Sequence, residues 1–218
     1  MLSSTKRTEV KKGAHKAKFE KEHLFQIIDE SLVAHIAINQ ESGPVVIPVL
    51  AWRVDEFVYI HGANNSRLFR TLKAGGQTCL TFTLFDGWIL ARAAAHHSAH
   101  YRSAVVFGAF ESVEDMSEKD RVLNHFIEQI APGRTEQIRL SGERELTATM
   151  VLRIPLNEAS VKVSNGEVND DAGDMTLPVW AGYLPYRTQV GPLEAVKDLP
   201  EGICLPDYSA AYGSRWKA

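Results

Sequence analysis

Cysteine is scarce. The 218 residues hold two, Cys79 and Cys204, far apart and outside any CxxC pair. That excludes a disulfide framework and leaves two reduced thiols as the plain expectation, one bridge between them being the alternative. No stretch of the chain reaches the roughly 18–20 consecutive apolar residues of a membrane-spanning helix. The first twenty residues carry many cations with no apolar run behind them, so they do not read as a secretory signal. An excess of either charge is lacking too: 24 Lys and Arg face 27 Asp and Glu, a net charge of -3, which gives no overall field for gripping DNA or anionic lipid. The patterns GxxxxGK[ST], GxGxxG after a strand and GxSxG are all missing, which excludes a P-loop, a dinucleotide fingerprint and a hydrolase elbow. The expectation is a soluble, cytoplasmic protein that binds neither nucleic acid nor membrane.

What is present suits one compact domain with embellishments, 44% hydrophobic and 23% charged. Lys6, Arg7, Lys11, Lys12, Lys16, Lys18 and Lys21 crowd residues 1–21, and the stretch 1–18 reads as a solvated basic arm. Helical spacing of Phe19, Leu24, Ile27 and Ile28 predicts a short amphipathic helix. Runs of β-branched and aromatic residues then predict strands over 32–38, 45–52, 57–61, 78–85, 104–110, 145–154 and 159–163. Two further helices are expected, one over 66–73 and one opened by a capping box at Ser117–Asp120 and running to about 130. Strands in runs with short turns argue against a parallel doubly wound sheet. They favour a mainly β fold, a small antiparallel barrel with helices packed outside. The main domain is expected over 19–164, with 165–218 a loop-rich extension holding some helix and packed on the barrel or on a dimer partner.

Three stretches carry chemistry. In YIHGANNSR (59–67) a strand runs through a Gly-containing loop into a helix headed by Ser66 and Arg67, a place suited to a phosphate monoester; plain helix capping is the competing reading. Between strands, DGWILAR (86–92) and HHSAHYRS (96–103) gather His96, His97, His100, Tyr101, Arg92 and Arg102, more polar capacity than a turn requires. His96 and His100 stand four apart and would share a helix face, but no cysteine or spaced carboxylate accompanies them, so no metal site is expected. LPVWAGYLP (177–185) holds Trp180 and Tyr183 between prolines, suited to covering a flat ligand or plugging a core end. Asp170, Asp171 and Asp174 read as a solvated turn.

The run CLTFTLFDGWILARAAAHHSAHYRSAVVFG, with the SRL helix start, ELTAT, SVKV and LPVWAGYLP, resembles the pyridoxamine 5'-phosphate oxidase-related flavin-binding proteins, closest to their nitroimidazole-resistance-like branch. The resemblance implies an FMN-binding split barrel, usually a homodimer with flavin at the subunit interface, FAD being the second choice of cofactor. It implies Pro48, Val49, Leu50 and Ala51 along the flavin, and His61, Ser66 and Arg67 near its phosphate. Tyr101, Arg102 and Ser103 fall on a flavin-contacting strand, Trp180 approaches the ring, and His97 and His100 lie on the substrate side. Leu68 replaces a second phosphate-binding cation and the family's C-terminal Arg-x-His pattern is missing, so pyridoxamine phosphate is not the expected substrate. His100 and Ser164 stand where close relatives often carry Asn and Arg. The function so implied is an FMN-dependent oxidoreductase acting on a small molecule. The alternatives are a flavin carrier or sensor, and a haem or metal protein using His61, His96, His97 and His100.

Overall fold

The computed structural model describes residues 1–209 and Tyr212. In chain order the strands are β1 (Ala17–Lys18), β2 (Ala34–Gln40), β3 (Gly43–Val49), β4 (Trp52–Val54), β5 (Phe57–Ala63), β6 (Thr78–Leu90) and β7 (Ser98–Gly108). They continue with β8 (Glu111–Ser112), β9 (Thr149–Pro155), β10 (Ala159–Ser164) and β11 (Gly182–Pro185). The helices are α1 (Lys21–Glu30), α2 (Arg67–Lys73), α3 (Met116–Ile130) and α4 (Glu143–Ala148). Every pairing is antiparallel, as the run of strands and short turns implies. One sheet has the order β1-β10-β7-β6-β2-β3, with β11 joining β6; the other is β4-β5-β9-β8.

The main core forms where Ile36, Ile60, Leu80, Phe82, Val106 and Leu152 of both sheets meet α1 and α2. Alternating burial along β2 and β6 follows the period-two pattern in the sequence. A smaller core of Trp52, Tyr59, Val122 and Val151, with Phe126 packed against it, lies between the second sheet and α3. Strand β5 separates the two cores: Val58 and Ile60 face the first, Tyr59 the second. At Gly62 the strand passes so close to the Phe69 ring that an added Cβ would sit 2.4 Å from it, so only glycine lets α2 pack there.

Several expectations change. The run 45–52 is not one strand: β3 ends at Val49, and Trp52 opens β4 in the other sheet, the chain crossing between sheets at Leu50 and buried Ala51. The strand expected over 78–85 continues to Leu90. Residues 86–90, expected as part of the connection, stay in the strand, whose register slips between Phe85 and Gly87. Gly87 has φ 151°, and a Cβ on it would lie 2.5 Å from the Leu184 oxygen of β11, so this glycine serves both the bulge and the docking of β11.

The strand expected over 145–154 begins only at Thr149; residues 145–148 belong instead to α4. The Glu145 carboxylate accepts from the Gly142 N–H at 2.7 Å, while the buried Lys119 ammonium donates to the Leu146 and Thr149 carbonyls at 3.2 and 3.0 Å. These contacts close both ends of a helix that period-two reading misses. Helix α3 starts earlier than Ser117, because Asp115 is its N-cap and accepts from Glu118 N–H at 2.7 Å. The extension holds a 3-10 turn at Asp174–Thr176 and the strand β11 in place of the helix expected there, and part of it, 210–211 and 213–218, lies outside the described residues.

The basic arm is not free in solvent. Arg7 pairs with Glu158 and lies over the Phe107 ring at 5.4 Å, Thr8 is buried, and β1 pairs with β10. Cys79 and Cys204 are both free thiols. Among the described residues no helix is long and apolar enough to cross a membrane.

Candidate functional site

At the junction of β5 and α2, Ser66 is the N-cap but makes no side-chain hydrogen bond to the helix. Arg67 and Arg70 are exposed and have no carboxylate partner among the described residues. Standing three apart on the helix, the two guanidinia share one side. Leu68, where the sequence pattern lacks a second cation, is buried in the main core, and the exposed cation one turn on from Arg67 is Arg70. Sequence reading passed over Arg70, although its spacing from Arg67 is the signal that would have found it. A hydroxyl and two unpaired guanidinia can grip phosphate oxygens in charge-assisted, bidentate fashion.

His61 does not join them. It follows Tyr59 on the second-core face of β5, where its ring lies 5.6 Å from both Trp52 and Phe126, while α2 packs on the opposite face. Its Nδ1 and the Trp52 Nε1 are buried with no hydrogen-bond partner. Burial holds the imidazole below its usual pKa of 6.5, so it stays neutral near pH 7. The unfolded chain protonates this residue near the ordinary value and the folded chain only below it. Stability is therefore expected to be full above about pH 6.5 and to fall as the pH drops through that value. His61→Phe should remove part of this acid sensitivity; urea midpoints at about pH 7.5 and 5.5 measure it, and an identical pH response in the variant would refute the burial argument.

Pro48 and Leu50 point outward on or beside the edge strand β3, Val49 packs against the main core and Ala51 is buried. On β7, the Tyr101 ring faces the Lys16 and Lys162 ammonium groups at 5.8 and 6.0 Å, and Ser103 is half-buried. Arg102 is fully engaged: it donates to both Asp86 oxygens at 3.0 and 2.9 Å and to Glu30 at 2.6 Å. The Asp86 hydrogen bonds, reinforced by Glu30 against the cost of burial, push its already high pKa higher still. This cation joins α1, β6 and β7, and it lines a cleft of 450 Å³ together with Phe85, Tyr186 and Arg187.

The segment 91–97 forms a loop with a 3-10 turn, Ala94–His96, so His96 and His100 do not share a helix face. His97 is exposed with Nδ1 3.0 Å from the Ala93 carbonyl. His100 reaches the Gly166 carbonyl through Nε2 at 2.8 Å and stacks on Tyr183 at 4.9 Å. Trp180 lies over Gly182 and is 68% exposed, so it plugs no core.

The expected solvated acidic turn is overturned at Asp170, whose side chain is shielded from solvent and receives Arg92 through its backbone N–H at 2.9 Å and its guanidinium at 2.8 Å. Burial alone would raise the Asp170 carboxyl; the hydrogen bonds from Arg92 and Ala93 outweigh it and hold the group below its usual value. Beside it, His96, Asp171 and Asp174 bring nitrogen and oxygen atoms within 4.8 Å of one another. Neither closeness is legible across the 74 or more residues between them in the chain. Arg92→Ala should free the segment after β10: cleavage within 165–180 in limited proteolysis is expected to rise roughly tenfold, with unchanged cleavage speaking against Asp170 as its anchor.

Two antiparallel sheets around a shared core, with a cationic loop-to-helix junction and an extension returning to the larger sheet, define the split-barrel class. A family model described as pyridoxamine 5'-phosphate oxidase matches residues 20–163, and the chain belongs to that family. The flavocytochrome Anf3 from Azotobacter vinelandii is 33% identical, with a TM-score of 0.89 over 95% of this chain and 96% of that one. The FAD and haem binding protein from Mycobacterium smegmatis is 30% identical, with a TM-score of 0.85 over 92% of this chain and 97% of that one. A 5-nitroimidazole resistance-like protein from Bacteroides thetaiotaomicron, 22% identical over 67% of this chain with a TM-score of 0.56, shares the fold. No curated protein matches the sequence.

Proposed function

We propose that this protein holds a flavin and a haem and passes electrons between them, two copies of the chain forming the working unit. The observation that carries this reading is the reach of the likeness. Two structures 30% or more identical, a flavocytochrome and an FAD and haem binding protein, cover over nine tenths of the chain, beyond the 20–163 of the family model. FAD stands ahead of FMN for the same reason. Paired guanidinia at Arg67 and Arg70 suit a diphosphate at least as well as a single phosphate.

The residues present fit both groups. Ser66, Arg67 and Arg70 supply unpaired phosphate donors, and His61, His96, His97 and His100 include imidazoles able to meet an iron. A bound flavin accepts an electron pair and releases it singly, and a haem iron carries single electrons. The chain's own part is to bind, orient and shield. Leu177, Val179, Trp180, Leu184 and Val196 leave the extension with an apolar surface that is exposed among the described residues, which supports burial against a second copy.

The test is the spectrum and extracted mass of protein produced with haem and riboflavin supplied. Flavin bands and a Soret band, each near one equivalent per chain, are expected. Flavin alone would return the reading to a plain flavoenzyme or carrier, and neither group at stoichiometry would sink it.

A further inference from the structure

We infer that His96, Asp171 and Asp174 bind a single divalent ion of the zinc or manganese kind, which pins the segment after β10 to the loop that follows β6. The site needs neither flavin nor porphyrin, so it stands or falls apart from the reading above.

Three ligand atoms are already gathered. The His96 imidazole and the Asp171 and Asp174 carboxylates bring one atom each within 4.8 Å of the others. Between His96 Nε2 and Asp171 Oδ2 the gap is 3.3 Å. That is wider than the ~2.7–2.9 Å of a charge-assisted hydrogen bond, and it matches the roughly 3.0–3.4 Å between two atoms that each lie about 2.1 Å from one ion at octahedral or tetrahedral angles. An ion entering there takes the place of the Nε2 proton.

The backbone holds these side chains in register. Asp174 N–H donates to the Asp171 carbonyl at 2.9 Å and leads into the 3-10 turn, and residues three apart in that geometry eclipse, which sets the two carboxylates on one side. Facing them, the His96 N–H donates to the Ala93 carbonyl at 3.1 Å and closes the turn that carries the imidazole. The Arg92 guanidinium, bonded to the shielded Asp170 at 2.8 Å, locks one turn against the other. The ligands therefore come preorganised from two segments far apart in the chain.

Charge supplies the second argument. Two carboxylates this close repel each other, and the nearby Arg92 is already matched by Asp170. Among the described residues neither Asp171 nor Asp174 pairs with a lysine or arginine; the only cationic partner of Asp171 is His96, and only when that ring is protonated. A divalent ion cancels both negative charges. One nitrogen and two oxygens with no thiolate suit a borderline ion such as zinc or manganese, and they are too few oxygens for calcium. Beside His96 opens a polar cleft of 340 Å³ lined also by His97, Glu167 and Asn169, which gives a hydrated ion a way in and leaves water for its open positions.

Full-length protein without an affinity tag, dialysed against a chelator, is titrated with zinc chloride and with manganese chloride, and bound metal is measured by equilibrium dialysis. Wild type should saturate with one of the two at one ion per chain. Asp171→Asn and His96→Ala should each bind that ion at least tenfold more weakly, while His125→Ala, at an exposed histidine on α3, should bind it as wild type does. The Asp171 side chain is 81% exposed and belongs to no core, so Asp171→Asn should keep the melting temperature of the metal-free protein. In wild type the ion should also slow proteolytic cleavage within 165–180 severalfold, and in Asp171→Asn it should not. Uptake of neither ion at one equivalent overturns the inference. So does equal affinity in Asp171→Asn and wild type, or cleavage within 165–180 that the ion leaves unchanged.

Discussion

Arg67→Ala is expected to weaken flavin binding about ten- to a hundredfold, because a charge-assisted hydrogen bond contributes roughly 1.5–3 kcal/mol and each 1.4 kcal/mol is a factor of ten. The residue is exposed and has no acidic partner among the described residues, so its loss should leave the melting temperature of the free protein nearly unchanged. Arg70→Ala should act in the same direction, and the double variant should be weaker than either. Flavin fluorescence titration at fixed salt reads all three. Unchanged affinity in the double variant would remove the β5–α2 junction from the site.

Phe82→Ala carries the largest expected cost to the fold, about 3–5 kcal/mol. The ring is fully buried where β6 meets the main core, and removing it leaves a cavity that packed strands on both sides cannot close. Since a domain of this kind is stable by about 5–15 kcal/mol, the variant should lose a large share of its stability, read as a lower urea midpoint with an unchanged slope. Trp180 makes the useful contrast. At 68% exposure, its truncation should barely move the unfolding of one chain, yet should loosen the association of two if the extension lies against a partner. A shift in unfolding for Phe82→Ala below about 1 kcal/mol would mean that the core is placed wrongly.

Much of the fold was readable because one-sided burial imposes alternation. The strands β2 and β10 and the second half of β7 declare themselves this way, β5 shows as a β-branched and aromatic run buried on both faces, and Ser98–Ser103 of β7 reads as a connection; α1 and α3 show by helical spacing apart from their first turns. The failures share a cause, which is that the deciding partner is distant in sequence. Asp86–Leu90 reads as a connection until β11 is seen paired beside Gly87–Leu90. Glu145–Ala148 reads as the start of a strand until Lys119 of α3 is seen bonded to the Leu146 and Thr149 carbonyls at the end of α4. Asp170 looks solvated until Arg92 covers it, and His61 looks like a phosphate neighbour until its strand turns it toward Trp52. At the candidate site, Ser66 and Arg67 were visible from their place at a helix start, whereas Arg102 proved to be held by two acids that no local pattern reveals.

The far half of β6 is flanked by β7 on one side and by β11 on the other, so a chain emerging from the ribosome presents Gly87–Leu90 as a bare rim until Pro185 has been made. Nascent chains paused before that point carry an open backbone edge able to recruit a strand from a neighbour, and the extension thereby acts as a guard against misassembly during synthesis.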